Sequence, residues 1–102
     1  MLLEALNTTD YPFAMYGWSH APSGDYGVLA WSGGADFEAN GIHTERGTEG
    51  TVDLFTRDPT DTPRNAVEAV LTSEGIAWSL NTIQFENDTG YIHYEWVVGL
   101  YG

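Results

Sequence analysis

Cysteine and lysine are both missing from this 102-residue chain, and only three arginines stand against 15 acids. Without cysteine there is no disulfide framework, no thiolate metal site and no cysteine nucleophile. Without lysine, Schiff-base chemistry and a phosphate-binding P-loop are excluded. The formal charge of −12 argues against gripping nucleic acid by its phosphates, because the cations that displace counterions are lacking. No apolar run nears the roughly 20 residues of a membrane-spanning helix. Met1-Leu2-Leu3-Glu4 carries no basic stretch, so no signal peptide and no membrane partner are expected. Aromatic residues, by contrast, make up 14% of the chain. A disordered acidic tail would lack them, so a folded protein made in the cytosol is expected, with residues 1–102 forming one domain.

The N-terminal residues Met1 to Leu6 suit a short helix with an apolar side of Leu2, Leu3 and Leu6, stopped by Asn7-Thr8-Thr9-Asp10. Pro12 opens an extended run from Phe13 to Trp18, and Tyr26 to Trp31 reads as a buried strand. Ser32 to Gly41 reads as a glycine-rich acidic loop, followed by a short strand over Ile42 to Glu45 that Gly47 and Gly50 interrupt. Thr51 to Thr56 alternates, with Val52 and Leu54 on one side and Thr51 and Asp53 on the other.

The clearest helix is Thr62 to Glu74. Thr62 suits the N-cap, Pro63 the first helical position, and Val67, Val70 and Leu71 line one face with Ala66 and Ala69 beside them. Gly75 stops the helix and Ile76 is placed to fold back on its last turn. Ile76 to Trp78 and Thr82 to Phe85 read as two short extended segments, and Asn87 to Gly90 as a hairpin turn. Tyr91 to Leu100 is a long strand, with Ile92, Tyr94, Trp96 and Val98 facing one way and Tyr91, His93, Glu95 and Val97 the other. Together these elements predict an α+β fold: a mainly antiparallel sheet covered by one well-defined helix plus a short N-terminal helix.

Catalytic constellations are scarce. His20, His43 and His93 stand at no metal-ligand spacing, and Ser19, Ser23, Ser32, Ser73 and Ser79 lie in no nucleophile elbow. Asp58 and Asp61 lack the spacing of a calcium loop. The acids fall mainly in loops and turns, where a solvated surface explains them. No enzyme activity, metal or cofactor is therefore expected. Trp18, Trp31, Trp78 and Trp96 sit in or beside strands, where either core packing or a carbohydrate-binding face would use them. Phe37 is the one large apolar residue in the Ser32–Gly41 loop. It reads either as a protein contact, with Asp36 and Glu38 beside it, or as a side chain tucked into its own domain.

The order of elements resembles the small tail-terminator (tail-completion) proteins of long-tailed bacteriophages. The matching segments are Tyr11-Pro12-Phe13-Ala14-Met15-Tyr16-Gly17 and Tyr26-Gly27-Val28-Leu29-Ala30-Trp31, then the Asp36-Phe37-Glu38-Ala39-Asn40-Gly41 loop. Gly50-Thr51-Val52-Asp53-Leu54-Phe55-Thr56 precedes the helix, Gly75-Ile76-Ala77-Trp78 follows it, and Tyr91-Ile92-His93-Tyr94-Glu95-Trp96 closes the match. The resemblance implies a virion structural protein assembled in the host cytoplasm. It would form a homo-oligomeric, hexameric ring at the head-proximal end of the tail tube, ending tube polymerisation. Its partners would be the tail tube protein and a head connector or neck protein. Genome DNA would pass through the lumen without specific binding, which an acidic wall would favour. Two further readings compete: another neck or head–tail connector protein and, from a different class, an acidic DNA-mimic inhibitor.

Overall fold

Residues 2–32 and 48–100 are described by the computed structural model. Helix α1 (Leu2–Leu6) buries Leu2 and Leu6 and ends where Thr8 and Thr9 turn their hydroxyls back onto the carbonyls of Ala5 and Leu6. Asn7 then holds the next segment in place. Its side chain accepts from the Phe13 N–H (2.8 Å) and donates to the Phe13 carbonyl (3.0 Å), acting as a substitute strand neighbour. Strand β1 (Phe13–Met15) is shorter than the expected Phe13–Trp18 run. Tyr16 adopts φ 65° and Gly17 φ 147°, which breaks the extended path.

The sheet continues through β2 (Tyr26–Ser32), β3 (Thr48–Thr56), β4 (Ala77–Phe85) and β5 (Ile92–Leu100), in the order β1-β2-β3-β5-β4. Only β1 and β2 pair in parallel; the other three ladders are antiparallel. The fold is thus α+β, with a mainly antiparallel sheet and two helices among the described residues. Helix α2 (Thr62–Ser73) crosses from β3 to β4, and β5 slots between those two strands as a split β–α–β unit.

Register fixes which residues make the core. Leu29, Val52, Trp96 and Leu80 form one row across four strands; Gly27, Leu54, Tyr94 and Ile83 form the next. Period-two alternation places both rows on the face that α1 and α2 cover. Trp96 is fully buried at its centre, beside Leu6, Val67 and Leu71 from the helices. A Trp side chain can remove on the order of 150–250 Å² from water, a large share of what a domain this small can bury.

Several local expectations change in detail. Asp61, not Thr62, stands at the N-cap of α2, and its backbone carbonyl accepts the Asn65 N–H at 2.8 Å. The helical ladder therefore starts one residue early, and Thr62 and Pro63 both lie within the first turn. Val67 and Leu71 are fully buried, whereas Val70 lies half-buried at the margin of the face. The C-terminus matches the expectation. Gly75, at φ 72°, donates to the Thr72 carbonyl while the Ile76 N–H reaches Leu71, and Ile76 is buried against the core.

Gly50 does not interrupt β3 but lies inside it. A Cβ there would sit 2.4 Å from the Ala30 carbonyl oxygen and 2.8 Å from the Trp31 ring, so its missing side chain lets β2 approach. The two segments expected at Ile76–Trp78 and Thr82–Phe85 are one strand, β4, kinked by a bulge between Leu80 and Thr82. Asn81, the extra residue, donates its side-chain amide to Glu95 at 2.8 Å. The Ile42–Glu45 strand and the Ser32–Gly41 loop fall outside the described residues, except for Ser32 at the end of β2.

Candidate functional site

With both helices on one side, the other sheet face is left without a helix among the described residues. Its side chains form rows as regular as those of the core. Tyr26, Phe55, His93 and Gln84 cross the sheet in one row, Val28, Asp53, Glu95 and Thr82 in the next, and Ala30, Thr51, Val97 and Ser79 in a third.

The first row is an aromatic stack. Phe55 lies parallel to Tyr26 at 4.9 Å between centroids and parallel to His93 at 4.2 Å. Trp18 meets Tyr26 edge-on at 6.4 Å and ties its indole N–H to the Gly27 carbonyl at 2.9 Å. Both faces of Phe55 are thus covered by its neighbours, and Tyr91 meets Tyr26 and Phe55 at nearly right angles. Sugars and bases bind aromatic side chains through exposed ring faces, so the row packs as a ladder and makes a poor stacking platform.

Asp53 and His93 form an ion-pair geometry on this face, with Oδ1 and Nε2 3.0 Å apart. Burial raises the Asp53 carboxyl above its ordinary range; the hydrogen bond and charge of His93 offset part of that, and Glu95 adds to it. No hydroxyl bonds either partner among the described residues, so the pair has no nucleophile beside it there. His20 is exposed, and His43 lies outside the described residues. No group of three or more His, Asp or Glu side chains that could hold a metal occurs among the described residues.

A second polar centre closes one end of the sheet. Asp25 accepts from the Thr56 hydroxyl and from the Arg57 N–H, at 3.0 Å for the latter. Thr56 is fully buried and its hydroxyl oxygen also accepts the Asp58 N–H. The Arg57 guanidinium lies 3.9 Å above the Tyr91 ring and donates to the carbonyls of Thr89 and Ser23. Tyr91 completes the closure by donating its hydroxyl to Gly24 at 2.7 Å. Arginine suits this place because one planar fork can serve two carbonyls and an aromatic face together.

Shallow grooves occur on both faces among the described residues. One runs between α1 and α2, over Ala5, Ala69 and Val70, with Thr8 and Ser73 at its rim. Another lies on the helix-free face beside Val97 and Gly99. Both are open to solvent.

Asp36, Phe37 and Glu38, the expected subunit or partner contact, lie outside the described residues. The Asp53–His93 pair escaped sequence reading because its members are 40 residues apart. Alternation did place both on the outward face, but only register brings them diagonal to one another. No family model, curated protein or solved structure matches the chain.

Proposed function

We propose that this protein is a ring-forming virion subunit of the tail-terminator type, located at the tail neck, where it ends the tail tube and joins it to the head connector. The observation that carries the reading is the order α1-β1-β2-β3-α2-β4-β5 around a single sheet, one face of which carries no helix among the described residues. That order is the one the resemblance implies, and the outward sheet face would give each subunit a surface for neighbours. In this reading Asp36, Phe37 and Glu38 contact the adjacent subunit or partner, and no reaction is catalysed.

Two observations weigh on the competing classes. A DNA mimic would display rows of acids on its helices. On α2, Glu68 instead turns inward, bonded to Trp96 and Arg64. Of the four tryptophans that a carbohydrate-binding face would use, Trp96 is fully buried in the core, and Trp31 and Trp78 pack partly against it.

Native mass spectrometry with negative-stain imaging of the purified protein tests the proposal. A six-fold ring is the expected particle, and a strict monomer up to high concentration would overturn it. Phe37→Ser then tests the contact: ring formation should weaken while the melting temperature of the monomer stays unchanged.

A further inference from the structure

The two edges of the sheet differ. At one, β1 is three residues long, preceded by Pro12 and ended by the turn at Tyr16, and such a stub offers little to a new strand. At the other lies β4, nine residues reading Ala-Trp-Ser-Leu-Asn-Thr-Ile-Gln-Phe, with neither a charge nor a proline. Soluble proteins usually blunt an edge with those residues, and here the bulge at Asn81 is the one such device. It leaves Thr82 to Phe85 without an outer strand neighbour among the described residues.

Backbone direction along that stretch follows from the hairpin. The Glu86 N–H donates to the Tyr91 carbonyl at 2.8 Å, toward β5. Alternation in an antiparallel ladder then turns the N–H and C=O groups of Ile83 and Phe85 away from β5, to the free edge. The same two residues carry the exposed apolar side chains, Ile83 at 52% and Phe85 at 64% accessibility. They pair with Tyr94 and Ile92 on the helix side of the sheet but extend past its cover. Unpaired backbone and uncovered apolar side chains thus coincide at alternate positions, the pattern that strand addition reads.

We propose that the Thr82–Phe85 edge of β4 accepts an extended segment of another protein as a sixth strand, one with apolar residues at alternate positions and basic residues between them. The charge follows from the surroundings. Glu86 and Asp88 lie just beyond the strand. The residues between the apolar ones would project on the opposite, helix-free face, where Glu95 pairs with Thr82 and Asp53 stands beside Glu95. A second copy of the chain would bring a further formal charge of −12 to the same edge, so a basic partner is the better fit.

Amide exchange of the full chain, with and without an acetylated peptide of about seven residues alternating valine and lysine, tests this. The expected result is exchange slowed about tenfold or more at Ile83 and Phe85, no slowing with a valine–glutamate peptide, and loss of the effect in Ile83→Pro. Proline there removes an outward N–H and leaves the ladder to β5 intact. Phe85→Ser, at an exposed position, should weaken binding and serves as the deciding variant if Ile83→Pro disturbs the fold. Protection spread over the acidic surface, or unchanged in these variants, would overturn the proposal. So would Ile83 and Phe85 amides already protected in a free protein of doubled mass, the mark of a second copy at the edge. A ring that takes up no peptide would sink this inference alone, and a strict monomer that takes it up would sink the ring alone.

Discussion

Trp96 and Glu68 are bonded across the interface between sheet and helix: the indole N–H donates to Oε2 at 2.9 Å, and the Arg64 guanidinium donates to the same oxygen at 3.1 Å. Trp96 is fully buried, so its single donor has no access to water. The largest core side chain is thus oriented by an acid on the helix that covers it.

Glu68→Ala should therefore destabilise the fold by about 1–3 kcal/mol, the cost of leaving a buried donor without a partner. Glu68→Gln keeps an acceptor and should cost less. Arg64→Ala removes only the outer member and should cost below about 1 kcal/mol, as for other surface pairs. Urea unfolding followed by tryptophan fluorescence measures all three. Equal losses for Ala and Gln would show that the indole bond contributes little.

Helix α2 supplies a sharper contrast. Val67→Asp places a carboxylate in the fully buried face, and the expected loss exceeds about 4 kcal/mol, enough to prevent soluble folding. Val70→Asp, at the half-buried margin, should fold with reduced stability. Soluble expression and circular dichroism distinguish the two, and a well-folded Val67→Asp protein would refute the packing described for this helix.

Asp53 gives a pH dependence of definite sign. Burial holds its carboxyl above the ordinary value, with His93 offsetting part of the shift. The folded state therefore binds that proton more tightly than the unfolded chain does. The resulting penalty is absent in acid below the unfolded value, and it grows as pH rises until it is complete above the folded value. Asp53→Asn cannot ionise, and its amide oxygen still accepts from His93. Its stability relative to the parent should rise with pH across that window and then level off. Paired urea titrations from strong acid to neutrality check this, and a difference that falls with rising pH would contradict it.

Much of this architecture was readable from local chemistry. The Gly75 stop, the Ile76 return and the alternation of β5 each depend on residues within a turn or two of one another. What the sequence could not show depends on contacts distant along the chain. Gly50 looks like a breaker until β2 is laid against it, and the gap at Asn81 looks like a loop until Glu95 is opposite. The parallel β1–β2 pairing joins residues far apart in the chain, through the Gly27 N–H on the Pro12 carbonyl and the Tyr16 N–H on the Leu29 carbonyl. Arg57 is one of three arginines, and that scarcity was the one signal that could have marked it. Its role needed Ser23, Thr89 and Tyr91 brought together.

The closure around Arg57 should be sensitive to geometry as well as charge. Arg57→Ala removes two donors and the cation above Tyr91, with an expected cost of about 1–3 kcal/mol. Arg57→Lys restores the charge but not the fork, so it should recover only part of that loss. Amide exchange should quicken first at the Asn87–Gly90 turn and the Ser23–Asp25 segment, the two loops that the guanidinium joins. Full recovery by lysine would mean that charge alone holds this end of the sheet.

Self-association, if it builds the proposed ring, must overcome a formal charge of −12 on every subunit. Salt screens such repulsion over a Debye length of about 10 Å at 0.1 M. Assembly should therefore strengthen as salt is raised, which sedimentation at several ionic strengths can follow. The opposite trend would require intersubunit ion pairs, and the chain has only three arginines and no lysine to make them. Arg57 lies on Tyr91 and serves two carbonyls, and Arg64 is bonded to Glu68. Of the three arginines only Arg46 lies outside the described residues. Dissociation by salt would point to that residue, and Arg46→Gln should then abolish both the assembly and its salt dependence. If assembly survives in Arg46→Gln and still strengthens with salt, the contacts between subunits are apolar or hydrogen-bonded, as a ring of such acidic subunits requires.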